Sequence, residues 1–110
     1  MELLTKLEEL VLIAVYRLKE NAYGIAIYKY VVGLTGRRAS MSSVYFPLER
    51  LVRRGLLTAV VGEPTPVRGG MRKKYYLLTK EGLRALQENR SLTKKAWRGI
   101  GGLRPETTED

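Results

Sequence analysis

Four cations crowd one short stretch of the chain, Arg68, Arg72, Lys73 and Lys74 in "VRGGMRKKYY". The chemistry open to them is contact with anionic oxygen, phosphate above all. A second group lies in "SMSSVYFPLERLVRRG". Ser40, Ser42 and Ser43 are hydroxyls small enough for close approach to base edges, Tyr45 can donate to a phosphate, and Arg50 can reach a backbone from further along. Tyr23 in "NAYG" adds a phenol beside amides that can meet a phosphate, with plain core as the equal alternative. In a strand Arg72 and Lys74 share one face, and Lys73 and Tyr75 the other. Both faces cannot touch one duplex, so Arg68 and Arg72 are the leading phosphate or minor-groove contacts. The bland alternatives are serines that only cap a helix, a half-buried Tyr45, and hairpin charges that merely resist edge aggregation.

Little else in the chain does chemistry. With no cysteine and no histidine there is no disulfide, no thiol nucleophile, and neither the commonest general base nor the commonest metal ligand. No catalytic residue, metal or cofactor is expected. "SLTK" places Ser91 and Lys94 at the spacing of a Ser-x-x-Lys nucleophile, but without the companion motifs that give it meaning. "RGGMRKK" lacks the Gly-Lys-Ser/Thr ending of a phosphate-cradling loop, "GIGG" follows no strand, and "RRAS" matches a basic-directed kinase site of a kind common by accident. The formal charge of +9 calls for an anionic partner: DNA, RNA or an acidic membrane surface. The longest apolar run, residues 10–16, is far short of the roughly 20 residues that span a bilayer. The acidic "MELLTKLEE" is no signal peptide, so a soluble cytoplasmic protein is expected.

The elements that position these groups follow from spacing. At 110 residues and 45% hydrophobic, one compact domain is the default, with a core that dimerisation would improve. Thr5 and Glu8 form a capping box, and Leu7, Leu10, Val11, Ala14, Val15 and Leu18 recur at helical spacing as far as Asn21. A second short helix is predicted to carry Ile25, Ile27, Tyr28, Val31 and Val32 and to end at Gly33 and Gly36. A third carries Val44, Leu48, Leu51 and Val52 inward and stops at Gly55. Its N-cap is Ser40, Ser42 or Ser43, and Pro47 favours a start at Ser42 or Ser43. Off its buried stripe stand Ser42, Ser43, Tyr45, Phe46, Glu49, Arg50 and Arg53. "LLTAVVG" and "RKKYYLLT" read as a hairpin, with a tip over 62–70 longer than chain reversal needs. Thr79 then caps a last helix with Leu83, Leu86, Leu92, Ala96 and Trp97 inward, followed by a frayed tail.

Three helices, a two-stranded hairpin and a final helix give a mainly α fold in the winged helix-turn-helix order. In that architecture the third helix enters the major groove and the hairpin lies over the flanking backbone. The predicted units are a DNA-binding domain over 1–79, a dimerisation helix over 80–98 and a flexible tail over 99–110. Formal charge agrees: about −1 over 1–20, +4 over 37–55, +3 over 56–75 and +5 over 90–104.

"LEELVLIAV", "AYGIAIYKYV", "SSVYFPLERLVRRGLL" and "GEPTPVRGGMRKKYYLLTKEG", in this order and spacing, resemble the PadR family of bacterial transcriptional regulators over 3–86. The third segment resembles the family's recognition helix at Val44, Tyr45, Leu48, Arg50, Leu51, Gly55 and Leu56. The resemblance implies a homodimeric repressor on an inverted-repeat operator in double-stranded DNA, often released by a small ligand. It places DNA contacts at Ser42, Ser43, Tyr45, Arg68, Arg72 and Lys73. It places dimerisation on the first and last helices, where Leu3, Leu7, Leu10, Leu83, Leu86 and Trp97 are the candidates. Trp97 is also the candidate contact for a small hydrophobic effector between subunits. Ser42 stands where the family commonly has glycine, and Phe46-Pro47 departs from its usual pattern, so base preference does not carry over. The long C-terminal domain of some relatives is missing. The rival from another class is a winged helix used for protein–protein contact, with no operator of its own.

Overall fold

The computed structural model describes residues 2–64 and 72–105. In chain order it holds α1 (Lys6–Leu18), a 3-10 turn (Lys19–Asn21), α2 (Gly24–Thr35), α3 (Met41–Arg53), β1 (Leu57–Pro64), β2 (Arg72–Leu78) and α4 (Lys80–Trp97). This is a mainly α, winged helix-turn-helix fold.

The core is one cluster. Val11, Leu12, Ala14 and Val15 of α1 meet Ile27 and Val31 of α2, Val44, Leu48 and Leu51 of α3, and Leu56, Leu57, Tyr76 and Ala85 from the wing base and α4. α1 starts at the expected capping box: Thr5 Oγ1 accepts from the Glu8 amide at 3.0 Å, and Glu8 Oε1 accepts from the Thr5 amide at 2.9 Å. α2 runs through Gly33, one expected stop, and ends only at Gly36, where φ is +67° and the amides of Gly36 and Arg37 both return to the Val32 carbonyl. A helical glycine costs about 1 kcal/mol relative to alanine and does not by itself turn the chain, whereas the left-handed residue does. Ile27 and Val31 are buried and Tyr28 packs partly against the core, while Ile25 is exposed.

α3 starts two or three residues earlier than the argument from Pro47 favoured. Its N-cap is Ser40, whose Oγ accepts from the Ser43 amide at 3.2 Å while Ser43 Oγ donates to the Ser40 carbonyl at 2.7 Å. Pro47 is therefore the seventh helical residue, and its ring is buried. It forfeits one backbone bond near an exposed helix start, and burying the ring offsets that loss.

β1 and β2 pair antiparallel from Leu57↔Leu78 to Val61↔Lys74, and an extra residue is accommodated before Pro64↔Arg72. The base of the hairpin is anchored twice. Ala22, fully buried, accepts from the Tyr76 amide at 2.8 Å, and Tyr23 makes an isolated bridge to Tyr75. On the other side Thr79 Oγ1 accepts from the Gly82 amide at 2.9 Å and donates to the Gly55 carbonyl at 2.7 Å, tying the cap of α4 to the end of α3.

α4 does not turn the expected stripe inward. Its buried residues are Gly82 and Ala85, while Leu83, Leu92 and Trp97 are exposed, Ala96 is exposed, and Leu86 is half-buried. The phase is set by close approach, because a Cβ on Gly82 would run into the Leu56 carbonyl and lie 2.8 Å from Leu78 Cδ1. With glycine facing the wing base, Leu83 one position on is turned away, while Leu86 packs partly against the core.

Gly82→Ala is accordingly expected to destabilise the fold by about 1–3 kcal/mol, since backbone is what the added methyl meets. Urea unfolding should show a lower midpoint with unchanged slope.

Candidate nucleic-acid interface

The rotational phase of α3 decides what it can present. Val44, Pro47, Leu48 and Leu51 are buried on one side, so the residues diametrically opposite are Ser42, Phe46, Glu49 and Arg53. All four are exposed. Ser43 and Tyr45 flank this face, each half-buried. Among the described residues no ion pair engages Glu49 or Arg53, which leaves both charges open to a ligand.

Tyr45 packs against the core and over the first residue of α2: a Cβ on Gly24 would lie 2.8 Å from its Cε1 and from its hydroxyl. Glycine at 24 thus lets α3 close on α2, and it brings the Tyr45 hydroxyl to the α2 amino terminus. Tyr23, the N-cap of α2, is half-buried and makes no side-chain cap bond. Lys73 Nζ stands 4.1 Å from the centroid of its ring, and the Tyr75 ring meets it edge-on at 5.8 Å. This is the face that strand alternation assigned to Lys73 and Tyr75. A cation–π contact of this exposed kind is worth about 0.5–1 kcal/mol, enough to bias the angle of the wing to α2. Arg72 opens β2 opposite Pro64; β1 takes in residues 62–64 of the expected tip, and Arg68 with the remainder, 65–71, lies outside the described residues.

Arg50 is engaged elsewhere. Its Nε donates to Glu8 Oε2 at 3.3 Å, and Arg54 Nη1 donates to Glu8 Oε1 at 3.2 Å. Arg54 also reaches the Glu2 carboxylate and carbonyl, both at 3.2 Å. Glu8 is only 3% exposed. Burial pushes its pKa up, but the Thr5 amide, the Arg50 hydrogen bond and the Arg54 and Arg50 charges outweigh burial and hold it below the ordinary 4.5. Two of the cations counted toward the basic face therefore fasten α3 to α1. The partner stands 42 residues away, so no local spacing announced it.

α1 and α4 together wall an open groove of about 830 Å³, lined by Ile13, Tyr16, Leu83 and Leu86 with Glu9, Arg17 and Arg90 at its margins. Leu7 and Leu10 lie partly buried against the core, whereas Leu3 and Trp97 are exposed, Trp97 by 50%. From Arg90 onward every described residue is exposed. No helix is long and apolar enough to cross a membrane, and no acidic cluster could hold a metal, both among the described residues.

The sequence profile of the transcriptional regulator PadR-like family matches residues 11–88. Among solved structures, a PadR family transcriptional regulator from Eggerthella lenta is 32% identical, with 84% of this chain and 78% of that one covered and a TM-score of 0.63. A PadR family regulator from Clostridium difficile R20291 is 26% identical over 87% and 91%, with a TM-score of 0.61. A Streptococcus mutans UA159 protein, 23% identical over 96% and 100% with a TM-score of 0.65, shares the fold. No curated protein matches the chain significantly.

The Glu8 network sets a pH dependence. A depressed folded pKa means that its stabilisation is complete above 4.5 and is lost as pH falls through the lower folded value. Glu8→Gln is expected to cost about 1–3 kcal/mol at pH 7, because two partly exposed guanidinium groups lose their partner. In urea titrations from pH 7 to 3, the gap between the variant and the natural chain should close toward the acid end.

Proposed function

The chain belongs to the PadR-like family of transcriptional regulators, DNA-binding proteins rather than enzymes, and from that premise we propose a ligand-responsive repressor that binds an inverted-repeat operator as a homodimer in the bacterial cytoplasm. The observation that carries this reading is the outward face of α3. Ser42, Phe46, Glu49 and Arg53 have no duty in the core, and they stand beside Ser43, Tyr45 and a wing whose Lys73 is stacked on Tyr23. In a winged helix this face enters the major groove, while Arg68 and Arg72 of the wing follow the adjoining backbone. Ser40, N-cap of α3, offers its exposed turn to a phosphate.

Pairing goes through the terminal helices. The groove between α1 and α4, with Leu83 40% exposed at its wall, has the apolar lining that a partner's helix would cover, joined by Leu3 and the margins of Leu7, Leu10 and Leu86. Two copies so joined would hold their α3 helices about one DNA turn apart. Trp97 lies near the end of α4, where a small hydrophobic effector between subunits would alter the spacing and weaken operator binding by its differential affinity for the two arrangements.

Footprinting on DNA around the gene should protect two symmetric half-sites whose centres are about 10 base pairs apart. Leu83→Lys should sediment as a monomer and lose that footprint while retaining weak, salt-sensitive binding to any duplex. Uniform weak binding by the natural chain would favour the protein–protein alternative. For the effector step, a compound that quenches Trp97 fluorescence should also release the operator, and quenching with unchanged affinity would remove Trp97 from regulation.

A further inference from the structure

Phe46 is the chain's only phenylalanine, and it is 61% exposed at the centre of the outward face of α3. Its position is enforced by its neighbour: Pro47 is buried, and helical geometry then turns residue 46 away from the core. A single exposed apolar side chain is ordinary. What distinguishes this one is its company. Ser42 lies one turn before it, and Glu49 and Arg53 lie one and two turns after it, all polar and exposed. Docking on a protein would call for a contiguous apolar patch, which this setting does not supply. Glu49 carries no ion pair among the described residues, and a carboxylate aimed along a phosphate rail would be repelled. The row therefore suits base edges better than backbone. The apolar feature that base edges offer in the major groove is the C5-methyl group of thymine.

We propose that Phe46 is a specificity residue that selects thymine in each half-site by packing its ring on the C5-methyl group. The inference rests on the operator-binding reading above and adds what that reading lacks, a base preference. Phosphate contacts would not produce it, because they are indifferent to sequence, and a wing in the minor groove would not meet the C5-methyl group, which lies in the major groove.

The experiment uses the full chain. Selection from a randomised duplex pool defines the preferred sequence, and each thymine of that duplex is then replaced in turn by deoxyuridine, which removes only the methyl group. Burying one methyl is worth a factor of about 4 in affinity. At one thymine position per half-site the natural chain should lose about that factor. Phe46→Ala should bind the thymine and deoxyuridine duplexes equally, and Phe46→Leu, still apolar, should keep part of the discrimination. The side chain is exposed, so both variants should unfold at the natural midpoint. A defined operator with no methyl-sensitive position, or with the same sensitivity in Phe46→Ala, overturns the role of Phe46 and leaves operator binding standing. Failure of any sequence to enrich overturns both.

Discussion

The rotational setting of α3 is the constraint on which the surface chemistry depends. Val44, Pro47, Leu48 and Leu51 are buried together, and burying each such side chain contributes about 1.5–3 kcal/mol. Turning the helix by one residue, roughly 100°, would expose part of that stripe and drive Glu49 or Arg53 toward an apolar core, where an unpaired charge is not tolerated. One phase is therefore strongly preferred. Ser42, Phe46, Glu49 and Arg53 face outward as a consequence of what lies behind them.

Other contacts hold the angle of that helix against its neighbours. At its carboxyl end, Glu8 of α1 takes Arg50 and Arg54. At its amino-terminal half, Tyr45 closes over Gly24 of α2, and Tyr23 beside it receives Lys73 of the wing. Thr79 joins the end of α3 to the start of α4. The outward face of α3, the wing and the terminal helices are thereby mechanically linked, which is the precondition for an event at α1 and α4 to be felt at α3. Charge is divided along the same lines: Arg50 and Arg54 fasten α3 to α1, while Arg53 between them is exposed and makes no ion pair among the described residues.

Much of this was legible from local chemistry. The capping box at Thr5, the cap at Thr79, the left-handed stop at Gly36 and the buried stripe of α3 each depend on residues within a turn or two of one another, and short-range spacing reveals them. What escaped depends on partners distant in the chain. Pro47 argued for a late start to α3 because its cost is local, whereas its compensation, a place in the core, is tertiary. Leu83, Leu86, Leu92, Ala96 and Trp97 satisfied a helical period, but the close approach of Gly82 to the Leu56 carbonyl chose a phase in which only Leu86 of these packs against the core. Arg50 looked like one more exposed cation until Glu8 was placed beside it. Phe46 and Arg53 were on the off-stripe face from the start, and only the packing of the fold separates them from Tyr45, which is half-buried.

The absence of cysteine from the chain permits a direct test of which face meets a duplex. Single-cysteine variants Ser42→Cys, Glu49→Cys and Arg53→Cys, with Glu88→Cys on the exposed side of α4 as the reference, can each carry a short photoactivatable crosslinker. Irradiation in the presence of bound duplex DNA should crosslink efficiently from positions 42, 49 and 53 and only at background from 88. Equal yields from all four, or a yield from 88 exceeding those from α3, would contradict the assignment of the α3 face to the major groove.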